Sequence, residues 1–173
     1  MFENLLELVK GNAGDAIINN SAVPNEKNDA VISHASASIM DSLKNQIGGG
    51  NLTEVISTLG GKSGLANNPV MATVISNVGA SLMSKFGLSG AAANSVTENL
   101  VPQVMNQLVK KTNDPNDSSF DLGGILNSLT GGKTQGMDVG KMLSEGGLQD
   151  LAGKLGGGNS GGIGGMLGGL FGK

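Results

Sequence analysis

Residues 68–87 read NPVMATVISNVGASLMSKFG, and this stretch carries a full set of helix signals. The Asn68 side chain can accept hydrogen bonds from the free N–H groups of a first turn. Pro69 follows at the first helical position, where its missing N–H does no harm. Met71, Ile75, Val78, Leu82 and Phe86 then recur at helical spacing, and Gly87 stands where a C-terminal cap belongs. The start, the apolar face and the stop of one amphipathic helix are all written in these twenty residues.

Similar signals extend towards the N-terminus. Phe2, Leu5, Leu6 and Val9 predict an apolar stripe on a short first helix. Gly11 and Gly14 punctuate it, and Ala16, Ile17 and Ile18 begin another turn before Pro24. A longer segment comes next, with Ile32, Ala35, Ile39, Met40, Leu43 and Ile47 on one face, ending at Gly48-Gly49-Gly50. Asn51 is positioned to cap a short helix carrying Leu52, Val55, Ile56 and Leu59, which Gly60-Gly61 ends.

Towards the C-terminus, Ser89 opens a segment in which Ser95 and Glu98 have the spacing of a capping box. The Pro102 ring would crowd the carbonyl of Glu98, which predicts a kink or break near Leu100. Val104, Met105, Leu108 and Val109 then lie on a final helix whose C-terminal dipole suits Lys110 and Lys111. Thr112–Ser119 reads as a polar turn, with Asp117, Ser118 or Ser119 free to cap the segment beyond it.

Composition bounds the rest. The chain has 173 residues, a prior for one domain with or without a tail, and it lacks Arg, Trp, Tyr and Cys. Its core must therefore be packed mainly by aliphatic contacts, each buried side chain contributing about 1.5–3 kcal/mol. Without cysteine there are no disulfides, thiolate metal sites or cysteine nucleophiles. The net charge of -3 and the absence of Arg, Trp and Tyr argue against nucleic acid as a partner. Glu3 and Glu7 stand where a signal peptide would carry positive charge, and no run of 18 apolar residues occurs, so the expected location is cytoplasmic.

Little in the chain organises chemistry. His34 is the single histidine and lies one step off an apolar helix face, which reads as a surface or boundary position. There is no Gly-x-Ser-x-Gly elbow. Asp114, Asn116 and Ser118 imitate the first ligands of a calcium loop, but Ser119 replaces the required Gly and Ile125 the bidentate Glu. Gly60-Gly61-Lys62-Ser63 and Gly131-Gly132-Lys133-Thr134 echo a phosphate loop, yet Ile56 and Asn127 occupy the positions of its first Gly. The expectation is a non-enzyme with no metal, no cofactor and no small-molecule substrate.

Glycine divides the chain, with 13 of the 30 in residues 1–130 and 17 in 131–173. The expected domains are a helical body over 1–130 and a Gly-rich, partly disordered tail over 131–173, since each Gly weakens a helix by about 1 kcal/mol relative to Ala. Leu122-Gly-Gly-Ile-Leu-Asn-Ser-Leu129 aligns without a gap on Ile163-Gly-Gly-Met-Leu-Gly-Gly-Leu170, and Val139-Gly-Lys-Met-Leu143 is a weaker copy. Gly153, Gly157, Gly161, Gly165 and Gly169 also recur every fourth residue, the spacing that lets helix backbones approach closely. Leu122, Ile125, Leu126 and Leu129, with Ile163, Met166, Leu167, Leu170 and Phe171, are therefore the candidate interaction residues. Their partner is another copy of the chain or another protein. The alternative is a weak contact of the terminal segment with a membrane surface in a peripheral, envelope-associated protein.

Residues 12–52 (NAGDAIINNSAVPNEKNDAVISHASASIMDSLKNQIGGGNL) and 111–140 (KTNDPNDSSFDLGGILNSLTGGKTQGMDVG) resemble the YidB-like family of small bacterial proteins, in its Bacteroidetes-type form. The resemblance covers roughly the first 140 residues, and Asn113–Phe120 is its most specific part. It implies an all-helical fold and a cytoplasmic bacterial protein, and it carries over no reaction, cofactor or catalytic residue. The expected architecture is all-α, an irregular array of about five to seven short helices followed by the tail.

Overall fold

The computed structural model describes residues 2–132, and those residues form an all-α fold. Among them are six α-helices: α1 (Phe2–Gly11), α2 (Asn28–Gly48), α3 (Leu52–Leu59), α4 (Pro69–Phe86), α5 (Gly90–Thr112) and α6 (Leu122–Leu129). A π-turn at Gly14–Ile18 and 3-10 turns at Asn25–Lys27 and Ser118–Phe120 join them. The expected tail over 131–173, with its Gly rows and the Val139–Leu143 and Ile163–Leu170 copies, lies outside the described residues except for Gly131 and Gly132.

Helix α4 matches its sequence signals closely. Asn68 Oδ1 accepts from the amides of Val70 and Met71 at 2.9 and 3.3 Å. Gly87 closes the helix in the left-handed region at φ 66°, and its amide donates to the Met83 carbonyl. Val70 and Val74 join Met71, Val78 and Leu82 in the core, so the buried face is wider than the five-residue stripe suggests.

Helix α5 departs from expectation. It runs 23 residues from Gly90 to Thr112 without a break at Pro102, and Ser89 caps it by accepting from the Ala92 amide at 3.2 Å. Ser95 therefore lies in the helix interior rather than in a capping box. Packing decides the outcome, because Leu100, Val101, Val104 and Met105 on either side of Pro102 are all fully buried. Continuing the helix through Pro102 loses about 3 kcal/mol of propensity, less than burying those four side chains returns. Glu98 lies on the exposed side, where water can serve the carbonyl that Pro102 leaves without a donor. With α2 at 21 residues and α4 at 18, three of the helices are long rather than short.

The centre of the array is α2, which packs on α1, α3, α4 and α6, while α5 packs on α1, α3 and α4. Val31, Ile32, Ala35, Ile39 and Leu43 give α2 its apolar face. A second, polar row runs beside it at every fourth residue. His34 and Ser38 meet Ser81, Ser42 accepts from Asn77 Nδ2 at 2.9 Å, and Gln46 donates to the Val70 carbonyl at 3.4 Å. Because the α4 partners descend in number as the α2 residues rise, α2 and α4 are antiparallel. The polar row fixes their register.

Burial brings smaller corrections. On α1 the inward residues are Leu5, Leu8 and Val9, while Phe2 is 41% exposed, so the stripe is rotated from the expected one. The cause lies one turn on. Asn12 is buried, accepts from Gln107 Nε2 at 2.8 Å and so docks this face on α5. Asn51 makes no side-chain cap for α3. The C-terminal end of α3 is instead tied to α5 through Asn113, which donates to the Leu59 carbonyl at 3.1 Å.

Candidate functional site

The nine candidate interaction residues divide into two groups. Leu122, Ile125, Leu126 and Leu129 lie on α6 and are 7%, 2%, 0% and 5% exposed, packed into the core beside α2. Their apolar face is already covered by this chain's own body. Asp121 starts the helix by accepting from the Gly124 amide at 2.8 Å, a cap that the sequence signals did not single out. Ile163, Met166, Leu167, Leu170 and Phe171 lie outside the described residues.

The polar turn before α6 is built from caps. Asp114 accepts from the Asn116 amide at 2.9 Å, and Asp117 accepts from the Ser119 amide at 3.0 Å. Asp117 also accepts from the Ser119 hydroxyl and pairs with Lys111 Nζ at 2.7 Å. The hydrogen bond from Lys111, reinforced by those from Ser119, lowers the Asp117 carboxyl from 3.8 to about 2. Asp114, the carboxylate of the calcium-loop imitation, thus accepts from a backbone amide, and the neighbouring Asp117 is taken up by Ser119 and Lys111.

His34 is half-buried between α2 and α4. Its Nε2 lies 2.7 Å from Ser81 Oγ, Ser38 donates to the same oxygen at 3.0 Å, and the Phe86 ring meets the imidazole edge-on at 5.4 Å. A Ser–His contact of this length resembles a nucleophile and its base. Here, however, the Ser81 oxygen is held between His34 and Ser38 at a helix–helix seam, as one member of the polar row that registers α2 on α4.

An open apolar groove of about 430 Å³ lies between the α3–α4 connection, α4 and α5. Leu65, Met71, Ile75 and Pro102 form its apolar wall, Ala72 is exposed at its edge, and Asn67 and Asn106 stand on the rim. Asn68, buried beneath it, is saturated: besides capping α4 it donates to Thr58 Oγ1 at 3.1 Å and to the Gly64 carbonyl at 3.0 Å. Asn67 turns the chain into α4 with φ 57°, a left-handed conformation that Asn tolerates better than most residues. None of the residues around the groove is charged.

Two other concavities are rimmed by charge. One, about 390 Å³, has Asp114, Asp117 and Asp121 on its rim, and the other, about 360 Å³, has Glu7 and Lys111. The uncharged groove was not legible in the sequence. Met71 and Ile75 were visible as a helix stripe, but Pro102 comes to face them only because α5 continues through the proline. Among the described residues, no helix is long and apolar enough to cross a membrane. Comparison with family models, curated proteins and solved structures finds no match.

Proposed function

We propose that this chain is a non-enzymatic interaction protein that takes up an apolar helical segment, from a second copy or another protein, in the groove walled by Leu65, Met71, Ile75 and Pro102. The observation that carries the reading is the groove itself, an uncharged apolar concavity open to solvent. Lining of this kind suits helix-in-groove recognition, in which residues at i, i+3, i+4 and i+7 supply the anchors. The chain's own sequence contains such anchors twice, at Leu122–Leu129 and at Ile163–Leu170. A cytoplasmic setting and the YidB-like resemblance belong to the same reading, and neither brings a reaction with it.

The test uses the full chain with Ile163, Met166, Leu167, Leu170 and Phe171 all changed to Ser, so that no terminal segment competes. A fluorescent peptide copying residues 161–173 is titrated against it, and then against the same protein carrying Ala72→Glu. Saturable binding that the Ala72→Glu change weakens at least tenfold supports the reading. Absence of saturable binding, or binding indifferent to Ala72→Glu, counts against it. Liposome flotation of the unaltered chain separates the peripheral-membrane alternative, since a protein-binding segment should not float with lipid.

A further inference from the structure

Helix α6 is held differently from the other five. Polar contacts of Ser81 and Asn77 tie α4 to α2, and Gln107 Nε2 ties α5 to Asn12 at 2.8 Å. Asn4 Nδ2 on α1 donates to the Ser119 carbonyl at 2.9 Å, and Asn113 Nδ2 holds the end of α3 at the Leu59 carbonyl. Among the described residues, no side-chain hydrogen bond or ion pair joins Leu122–Leu129 to another helix. Its Asp121 cap is local, and it rests chiefly on α2 through Leu122, Ile125, Leu126 and Leu129.

The helix is also weak by itself. Its 8 residues make two turns, and isolated helices shorter than about 12–15 residues are marginal in water. Gly123 and Gly124 weaken it further, since glycine loses the most backbone freedom on folding. Asn127 Oδ1 is buried without a hydrogen-bond partner, a desolvation penalty that contact with water would relieve.

The chain on its N-terminal side is anchored more firmly than the helix. Phe120 is 3% exposed, with Lys111 Nζ 5.7 Å above its ring, and Lys111 also pairs with Asp117. Because Asn4 holds Ser119 as well, the turn stays on α1 and α5, and the first joint beyond it is Asp121. That residue is exposed and has the non-helical angles φ -55° and ψ 129°. Past the helix, Gly131 and Gly132 take φ 64° and 90° with open space around both, a second joint of low stiffness.

We infer that α6 lifts off α2 as a single unit, hinged at Asp121 and at Gly131–Gly132, while α1–α5 stay folded. Closed, it is a lid that buries its own four apolar side chains against the core. Open, it bares them together with the α2 surface beneath, and Asn127 gains water. Subglobal openings of this kind draw on the elements with the fewest ties to the rest of the fold. The inference does not depend on the groove at Leu65, Met71, Ile75 and Pro102.

Native-state hydrogen exchange of the full chain, read amide by amide across urea concentrations below the unfolding transition, tests the inference. The amides of Ile125–Leu129 should exchange at least tenfold faster than the slowest amides of α2, α4 and α5. They should do so at one common level of protection and with a shallower urea dependence. In Leu126→Asp, which holds the lid open, protection of Ile125–Leu129 should vanish while α4 and α5 remain protected. Exchange of α6 in step with the slowest amides of the body would overturn the inference. So would protection that decays residue by residue along α6, because that is fraying rather than a unit. Loss of protection throughout the chain in Leu126→Asp would also overturn it, since the body would then need α6 to stay folded.

Discussion

Replacing Asn68 by Ala should destabilise the protein by about 2–3 kcal/mol. The N-cap itself contributes about 1 kcal/mol, and the two amides that it serves, Val70 and Met71, belong to residues only 1% and 6% exposed. Leaving buried donors unsatisfied adds about 1–3 kcal/mol before relaxation. The lost bonds from Nδ2 matter less, because the Thr58 hydroxyl still donates to the Glu54 carbonyl at 2.7 Å and Gly64 is exposed to water. Urea denaturation at neutral pH measures the effect, and Asn68→Ser separates its parts. Ser keeps a capping oxygen without setting a carboxylate against the Gly64 carbonyl, so it should lose roughly half as much as Ala. A loss below about 0.5 kcal/mol for Asn68→Ala, or a Ser variant worse than the Ala one, would refute the reasoning that the cap anchors α4 and the groove floor.

Other substitutions test separate parts of the fold. Pro102→Ala restores the N–H that donates a hydrogen bond to the Glu98 carbonyl and should raise stability by about 1–3 kcal/mol in thermal or urea unfolding; a loss would mean that the ring's packing outweighs the helix defect. Gly87→Ala at φ 66°, with open space around the new methyl, should lose about 1 kcal/mol. Gly61→Ala should lose more in the same urea titration, since its φ is 69° and the new Cβ would lie 3.3 Å from Asn113 Nδ2. Leu126→Ala should lose about 2–5 kcal/mol if α6 belongs to the core, and much less if that helix is only a surface appendage.

The Asp117 carboxyl gives a pH signature. Its folded value of about 2 lies below the ordinary 3.8, so its contribution to stability is present above about pH 4 and is lost as pH falls towards 2. Asp117→Asn should therefore flatten that part of the acid limb while leaving the slope above pH 5 unchanged. An unchanged limb in urea titrations between pH 2 and 5 would contradict the assignment.

Where the determinants are local, the fold was legible. In α4, Asn68, Pro69 and Gly87 act within a few residues of themselves, and the structure uses each as the sequence indicates. In α5, Pro102 and the Ser95–Glu98 pair carry equally strong local signals, but the burial of Leu100, Val101, Val104 and Met105 overrides them. The unit at Leu122–Leu129 shows a third case. Its apolar face was plain, but sequence does not say whether such a face meets the same chain or another, and here it meets α2. The groove was least legible of all, because Leu65, Ile75 and Pro102 come together from two helices and a connection.

The most direct test of the central claim is an isotope-filtered nuclear Overhauser experiment between the unlabelled 161–173 peptide and the methyl-labelled chain carrying the five serine substitutions. The account predicts contacts from the peptide's Leu and Met methyls to Met71, Leu65 and Ile75. Contacts that fall instead on the exposed Phe2 or Ile18, or none at a saturating peptide concentration, would contradict it.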